Sequence, residues 1–524
     1  MKELDRKGPN SFLWFFILTG VLLRLVGITR PLLGNFGDYQ AAQAMVSQFF
    51  IENHFKTLLY PQINVLVGGS PSLVLLFFPV ASLIAAVPFA FFGGSLDFWG
   101  RLQAVLFFAG SAYVLYRLVE KLIDSKIARA ALVVFCFSPL TVIYGQSFLN
   151  EMSTVFFSLL FFDQLLRFLE KNNLAYFSLS ALSLTLVLLM RPNALYLALP
   201  ALYLGSAGKG KMGDRLLKIT GVGLMGLILP GLWYFHLWKL SRVSTHIYMS
   251  IFPQLEVRST FLSPVIFNLD FYLGLLRNLA GVTFTPLGLV LLIIGLGNFK
   301  KSGERFFFLW GVAFLLSSFL MPRKLIDHNF YLLHLVVAWA PLIGIGFYKA
   351  GDRLMRNKNQ WKWVTPVFLA LSFVISVRYA AHPAFKTPTA ERSTLSVARK
   401  LAELTDKSKS RVIVQGTRTY LYYADRYGWN AFVTEKIEEL ADYYRLTNWQ
   451  NLSPEEWKQR NEARKDPMLY LEYLRGQEKA THFLVTDTEK FYGNSQFAEY
   501  VRKRYPLLYE EKGACLIFQL AKSS

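Results

Sequence analysis

Apolar residues recur along the chain in long runs, separated by short basic stretches and by two longer polar ones, 29–70 and 239–271. The runs cover roughly 12–28, 71–92, 98–117, 129–146, 152–169, 174–190, 193–206, 216–238, 272–297, 306–321, 329–349 and 363–380. A hydrocarbon layer about 30 Å thick needs roughly 20 apolar residues in helical form, so these runs predict membrane-spanning helices. After Pro383 the pattern changes. Helical segments at 393–405, 434–444, 454–477 and 495–504 alternate with short β-type apolar runs at 411–415, 482–486 and 514–520. The expected fold class is an all-α polytopic membrane bundle over 1–383, followed by a soluble α/β domain over 384–524.

Lysine and arginine set the expected orientation, because basic loops stay on the cytoplasmic side. They cluster in the N-terminal tail (Lys2, Arg6, Lys7), in 117–129, in 208–218, in 300–305 and in 349–362. Between the outer segment 29–70 and the inner segment 117–129 an odd number of crossings is needed, yet two apolar runs intervene. The run 71–92, which starts at Ser70-Pro71 and ends at Gly93-Gly94, is therefore read as re-entrant or interfacial. About eleven crossings remain, and 384–524 falls outside the cytoplasm. The expected location is the cell membrane, multi-pass, with residues 12–28 as an uncleaved first helix.

Composition agrees with a membrane chain. Hydrophobic residues make up 53% and charged residues 17%, against about 25% charged in soluble domains. The net charge of +21 lies mainly in loops between apolar runs, with no basic face interleaved with aromatics, which excludes nucleic acid as a partner. Two cysteines, Cys136 and Cys515, make neither a disulfide framework nor a metal site. No P-loop is present, which argues against ATP-driven transport.

Ionisable residues at membrane depth are costly and raise a functional question wherever they occur. Asp38, in Gly37-Asp38-Tyr39-Gln40, lies about ten residues past the first run and is a candidate general base. The alternative is a helix N-cap. Glu151, in the turn after Asn150, is the second candidate catalytic acid, to orient the acceptor or the sugar hydroxyls; alone it reads equally as a solvated turn residue. Arg24, Arg191 and Arg323, with His328, are candidate ligands for an anionic leaving group. Arg24 also has the length to snorkel to headgroups. Tyr331 in Asn329-Phe330-Tyr331 and His54 in the first loop join the candidate substrate contacts. His54 with Glu52 falls short of a metal set; no cofactor is expected, and a divalent ion is left open.

Taken together, these motifs resemble the GT-C class of membrane glycosyltransferases. The chain is most similar to the bacterial protein O-mannosyltransferase and aminoarabinose transferase-like family. Asp38 stands where that family carries an acid in its first external loop, although Tyr39 replaces the second acid common there. Tyr60-Pro61, Pro139 to Glu151, Met190-Arg191-Pro192, His328-Asn329-Phe330-Tyr331-Leu332-Leu333 and Tyr422 to Trp429 are similar to further family segments. The resemblance implies an inverting sugar transfer in the cell envelope. It implies a polyprenyl-phosphate sugar donor, a lipid, glycan or protein acceptor, and contact with membrane lipids. A transporter or lipid flippase is the second reading, but internal repeats or matched half-helices, which often mark that class, are not visible. A third is a membrane-anchored binding protein with its activity in 385–524, where a lid or docking role fits better than catalysis.

Overall fold

The computed structural model describes residues 11–34, 36–67, 69–208, 210–251, 263–297, 299, 301–354, 389–430 and 466–521, with isolated positions at 367, 371, 374, 378 and 455. The chain divides into two compact units. The first comprises residues 1–29, 98–234 and 258–386, the second 30–97, 235–257 and 387–524. The second unit thus joins the C-terminal residues to two earlier stretches, 30–97 and 235–257.

The first unit is helical. Among the described residues four helices are each long and apolar enough to cross a membrane: Leu96–Leu122, Glu151–Lys171, Met212–Val243 and Asn329–Arg353. Shorter apolar helices occupy Ser11–Leu25 and Leu174–Met190. The expected span 363–380 lies outside the described residues apart from isolated positions. Two expected spans are broken. The run 272–297 forms two arms, Leu269–Thr283 and Thr285–Gly295, that meet at 105°. Thr285, just before Pro286, has φ of +65°, outside the right-handed helical region, so the two arms do not continue as one helix. The run 129–146 breaks at Ser138, where Pro139 removes a backbone donor and starts a new short helix, Pro139–Tyr144.

Breaking a helix in an apolar setting frees carbonyls that must find donors. Arg24 supplies one of these, to Cys136. Fully buried, its guanidinium donates to the carbonyls of Cys136 (3.1 Å), Thr141 (3.2 Å) and Gly20 (2.8 Å), and to Thr141 Oγ1 (3.2 Å). The Phe108 ring covers it at 3.4 Å.

The second unit is built around an eight-stranded mixed sheet. Its strands are β1 (Gln62–Val67), β2 (Ser70–Leu75), β3 (Ile247–Ser250), β4 (Arg411–Gln415), β5 (Tyr427–Asn430), β6 (His482–Val485), β7 (Leu507–Glu511) and β8 (Cys515–Gln519). The spatial order is β3-β2-β1-β5-β4-β6-β8-β7. Strands β4 and β5 pair in parallel, as do β4 and β6, and β1 joins β5 at Val65 opposite Gly428. The apolar run 71–92 therefore supplies most of β2 and the helix Val80–Phe92. At 13 residues, that helix is about 20 Å long, short of the hydrocarbon thickness.

Side-chain alternation along the central strands divides two cores. Val412, Val414, Leu484, Cys515 and Ile517 face one side, packing with Met45, Val46 and Phe50 of the helix Gly37–Glu52 and with Val397, Ala398 and Leu401 of the helix Thr389–Leu404. Ile413, Phe483, Val485, Leu516 and Phe518 face the other, with Leu471, Leu474, Phe497 and Val501 from the helices Pro467–Gly476 and Ser495–Arg504. Burial on both faces explains why these strands are continuous apolar runs rather than alternating ones.

Candidate active site

In the second unit, Asp38 occupies the first turn of the helix Gly37–Glu52, where a carboxylate suits the helix dipole. Its partner is Arg418, at the start of the short helix Thr419–Ala424. Arg418 Nε donates to Asp38 Oδ2 at 2.7 Å, Nη2 donates to the same oxygen, and the Arg418 backbone N–H donates to Oδ1 at 3.1 Å. The Arg418 side chain is 6% exposed and that of Asp38 is 26% exposed, so the carboxylate keeps access to solvent while its partner does not.

The segment after Arg418 is tied to a second acid. Tyr422 and Tyr423 donate to the two oxygens of buried Asp97, at 2.7 and 2.8 Å. Burial, with the facing Asp97 carboxylate, pushes the Tyr422 hydroxyl well above its ordinary pKa. Asp425 accepts from Gln48 (2.6 Å) and pairs with Lys407 (2.6 Å), and Arg426 donates to the carbonyls of Ala402 and Thr405 at the end of the helix Thr389–Leu404. The Tyr422–Trp429 motif is thus a set of ties within this unit. His54 is exposed, in a turn after the helix Gly37–Glu52 with φ of +50°.

In the first unit, Glu151 opens the helix Glu151–Lys171 and receives Arg191 Nη2 at 2.5 Å. Arg191 has extended backbone (φ −153°, ψ 93°) between the helix Leu174–Met190 and the turn beginning at Pro192. That geometry follows from the proline behind it. The Tyr331 ring lies 4.3 Å from the guanidinium carbon. His334 Nε2 is 3.8 Å from Glu151 Oε2, and its Nδ1 shares a 3.1 Å hydrogen bond with Tyr196 Oη. Buried Arg191 Nη1 has no hydrogen-bond partner among the described residues. A buried charged donor left unmade is costly, which marks this atom as one that can take a further anion. His328 packs against Phe330 and Tyr331, and Arg323 is exposed on the helix Pro322–Asp327.

Of the residues singled out in the sequence, the structure brings Glu151, Arg191 and Tyr331 together in the first unit and puts Asp38 and His54 in the second. Arg24 stands apart, its donors committed to backbone carbonyls and Thr141. Arg418, Asp97, Tyr196 and His334 were not singled out. His334 carried a signal, since it is an ionisable group inside the apolar run 329–349. Arg418 carried none, as its partner lies far away in sequence. No group of three or more His, Cys, Asp or Glu is placed to hold a metal ion among the described residues.

Residues 77–234 match the family model for dolichyl-phosphate-mannose-protein mannosyltransferase. No curated protein matches the chain in sequence. Among solved structures, ArnT from Cupriavidus metallidurans bound to undecaprenyl phosphate is 12% identical, with a TM-score of 0.65 over 98% of this chain and 99% of that one. The oligosaccharyltransferase AglB from Archaeoglobus fulgidus, in complex with an inhibitory peptide and a dolichol-phosphate, is also 12% identical, with a TM-score of 0.53 over 96% of this chain and 73% of that one. At these identities the likeness is one of fold. Over nearly its whole length, then, the chain shares the fold of these two structures, and residues 77–234 within it match one family model.

Proposed function

We propose that the protein is an integral membrane glycosyltransferase that moves a sugar from a polyprenyl-phosphate donor to an extracytoplasmic lipid, glycan or protein acceptor, with inversion at the anomeric carbon. The observation that carries this reading is the full-length fold likeness to a structure holding undecaprenyl phosphate, joined to the match with a family of dolichyl-phosphate-mannose transferases.

In the proposed reaction the acceptor hydroxyl or amine attacks the anomeric carbon from the face opposite the phosphate. The bond between that carbon and the phosphate oxygen breaks, and its electron pair leaves with the lipid phosphate. The acceptor proton passes to the Asp38 carboxylate, which is partly open to solvent. Arg191, whose buried Nη1 has no hydrogen-bond partner among the described residues, meets the phosphate charge, and Glu151 holds its Nη2. Tyr331, stacked on Arg191, and the nearby His328 complete the anion's surroundings. Arg323 and His54, both exposed, serve as outer contacts for donor and acceptor. Arg24 is left out of this set, because its guanidinium already serves the broken helix at Ser138.

The test is release of free lipid phosphate from sugar-labelled polyprenyl-phosphate donors by the full-length protein in membranes. Asp38→Asn is expected to abolish release while the protein still accumulates; wild-type turnover by that variant would remove Asp38 from the chemistry. The proposed location is checked separately. A cysteine at exposed Glu489 should react with an impermeant maleimide on intact cells, because Cys136 and Cys515 are both buried. Labelling only after permeabilisation would place this part of the chain inside.

A further inference from the structure

Asp38 must not only be present but be aimed. A carboxylate has about four lone-pair sites. Three of them at Asp38 are filled by one residue, Arg418: two on Oδ2 by Nε and Nη2, and one on Oδ1 by the backbone N–H. Such a fork fixes the plane of the carboxylate as well as its position. From this we infer that Arg418 is the positioning residue for the base, leaving the second lone pair of Asp38 Oδ1 as the place where the acceptor proton goes. This inference rests on the reading of Asp38 as the general base.

Arg418 is itself held from several directions. Its guanidinium lies 4.9 Å from the Tyr248 ring centroid and 5.9 Å from that of Tyr39. Behind it, the turn after β4 passes through Gly416 at φ +142°, where an added Cβ would sit 2.5 Å from Thr486 Oγ1. Ahead of it, Tyr422 and Tyr423 are fastened to Asp97, and Tyr423 Oη also accepts the Leu32 N–H at 2.5 Å. The segment 416–423 therefore leaves Arg418 little freedom, and the carboxylate it grips inherits that order. Groups that orient a reacting residue typically matter by about 10–100-fold in activity, and small misplacements are costly.

Full-length variants are compared by steady-state release of lipid phosphate from labelled polyprenyl-phosphate sugars. Arg418→Ala is expected to lower kcat by about 10–100-fold, with KM for the donor changed by less than roughly twofold. Added methylguanidinium should restore part of kcat in that variant and do nothing to wild type. Arg418→Lys should recover little, because a single ammonium cannot reproduce the planar fork. Unchanged kcat in Arg418→Ala, a raised KM with kcat intact, or no response to methylguanidinium would each overturn the inference. If Arg418→Ala does not accumulate, Arg418→Gln is measured with the same readouts, and the same results support or overturn the role of Arg418. An inactive Asp38→Asn beside a fully active Arg418→Ala would defeat only the role of Arg418. An active Asp38→Asn would defeat the reading beneath it.

Discussion

Glu151 and Arg191 form an ion pair with side chains 11% and 5% exposed. A buried pair of this kind gains little over an apolar pair, because both ions were desolvated to make it, but losing one partner strands the other. Glu151→Ala is therefore expected to cost about 3–5 kcal/mol. The paired change Glu151→Leu with Arg191→Met should recover most of that loss while remaining inactive. Thermal unfolding of the purified variants measures both. Equal destabilisation in the single and the paired variants would show that stranded charge is not the cause. The contrast with Arg24 is instructive: that cation is also buried, yet its donors are taken up by backbone carbonyls, including that of Cys136 at the helix break. Two arginines at similar depth thus divide into one that completes the backbone and one with a donor to spare, and only atom-by-atom satisfaction separates them.

At the scale of elements, helix contacts in the first unit depend on residues without side chains. A Cβ on Gly346 would fall 1.8 Å from the Leu291 carbonyl oxygen, and one on Gly295 would fall 2.0 Å from that of Leu342. The helices Thr285–Gly295 and Leu333–Leu354 therefore meet backbone to backbone, as small residues allow in membranes. Gly346→Val should abolish the monodisperse folded peak in size-exclusion chromatography. Gly223→Ala, where a Cβ meets nothing within 4 Å, should leave it intact and raise stability slightly. A folded Gly346→Val protein would show that the two helices can separate without loss. The helix Leu333–Leu354 was legible in the sequence because the apolar run 329–349 is long enough to need no partner for recognition, whereas the break at Thr285 inside the run 272–297 was not. Nor were strands β1 and β2. They fall where the polar first loop passes into the run 71–92, and the pairing of β1 to β5 spans most of the chain. The same distance hid Arg418 from Asp38, whereas Asp38 and Glu151 stood out as acids beside apolar runs.

For the whole molecule, the second unit's sheet raises the question of where independence ends. Its residues come from three stretches separated by long helical passages. Central strands β4, β6 and β8 come from the C-terminal stretch, but one of their faces is completed by Met45, Phe50, Ile63 and Val65 from the first loop. A fragment of residues 389–524 would keep the core around Ile413, Phe483 and Phe518 and lose that cover. Each large apolar side chain so uncovered forfeits about 1.5–3 kcal/mol, and a domain's whole stability is only about 5–15 kcal/mol. The isolated fragment is therefore expected to bind a hydrophobic dye and to unfold without a cooperative transition. Joining residues 30–97 to it through a flexible linker should reduce dye binding and sharpen unfolding, because β1 regains β5 and Asp38 regains Arg418. If the fragment alone melts cooperatively and stays free of dye, the C-terminal stretch is a self-sufficient domain, and the first-loop strands lie on it without helping to hold it together.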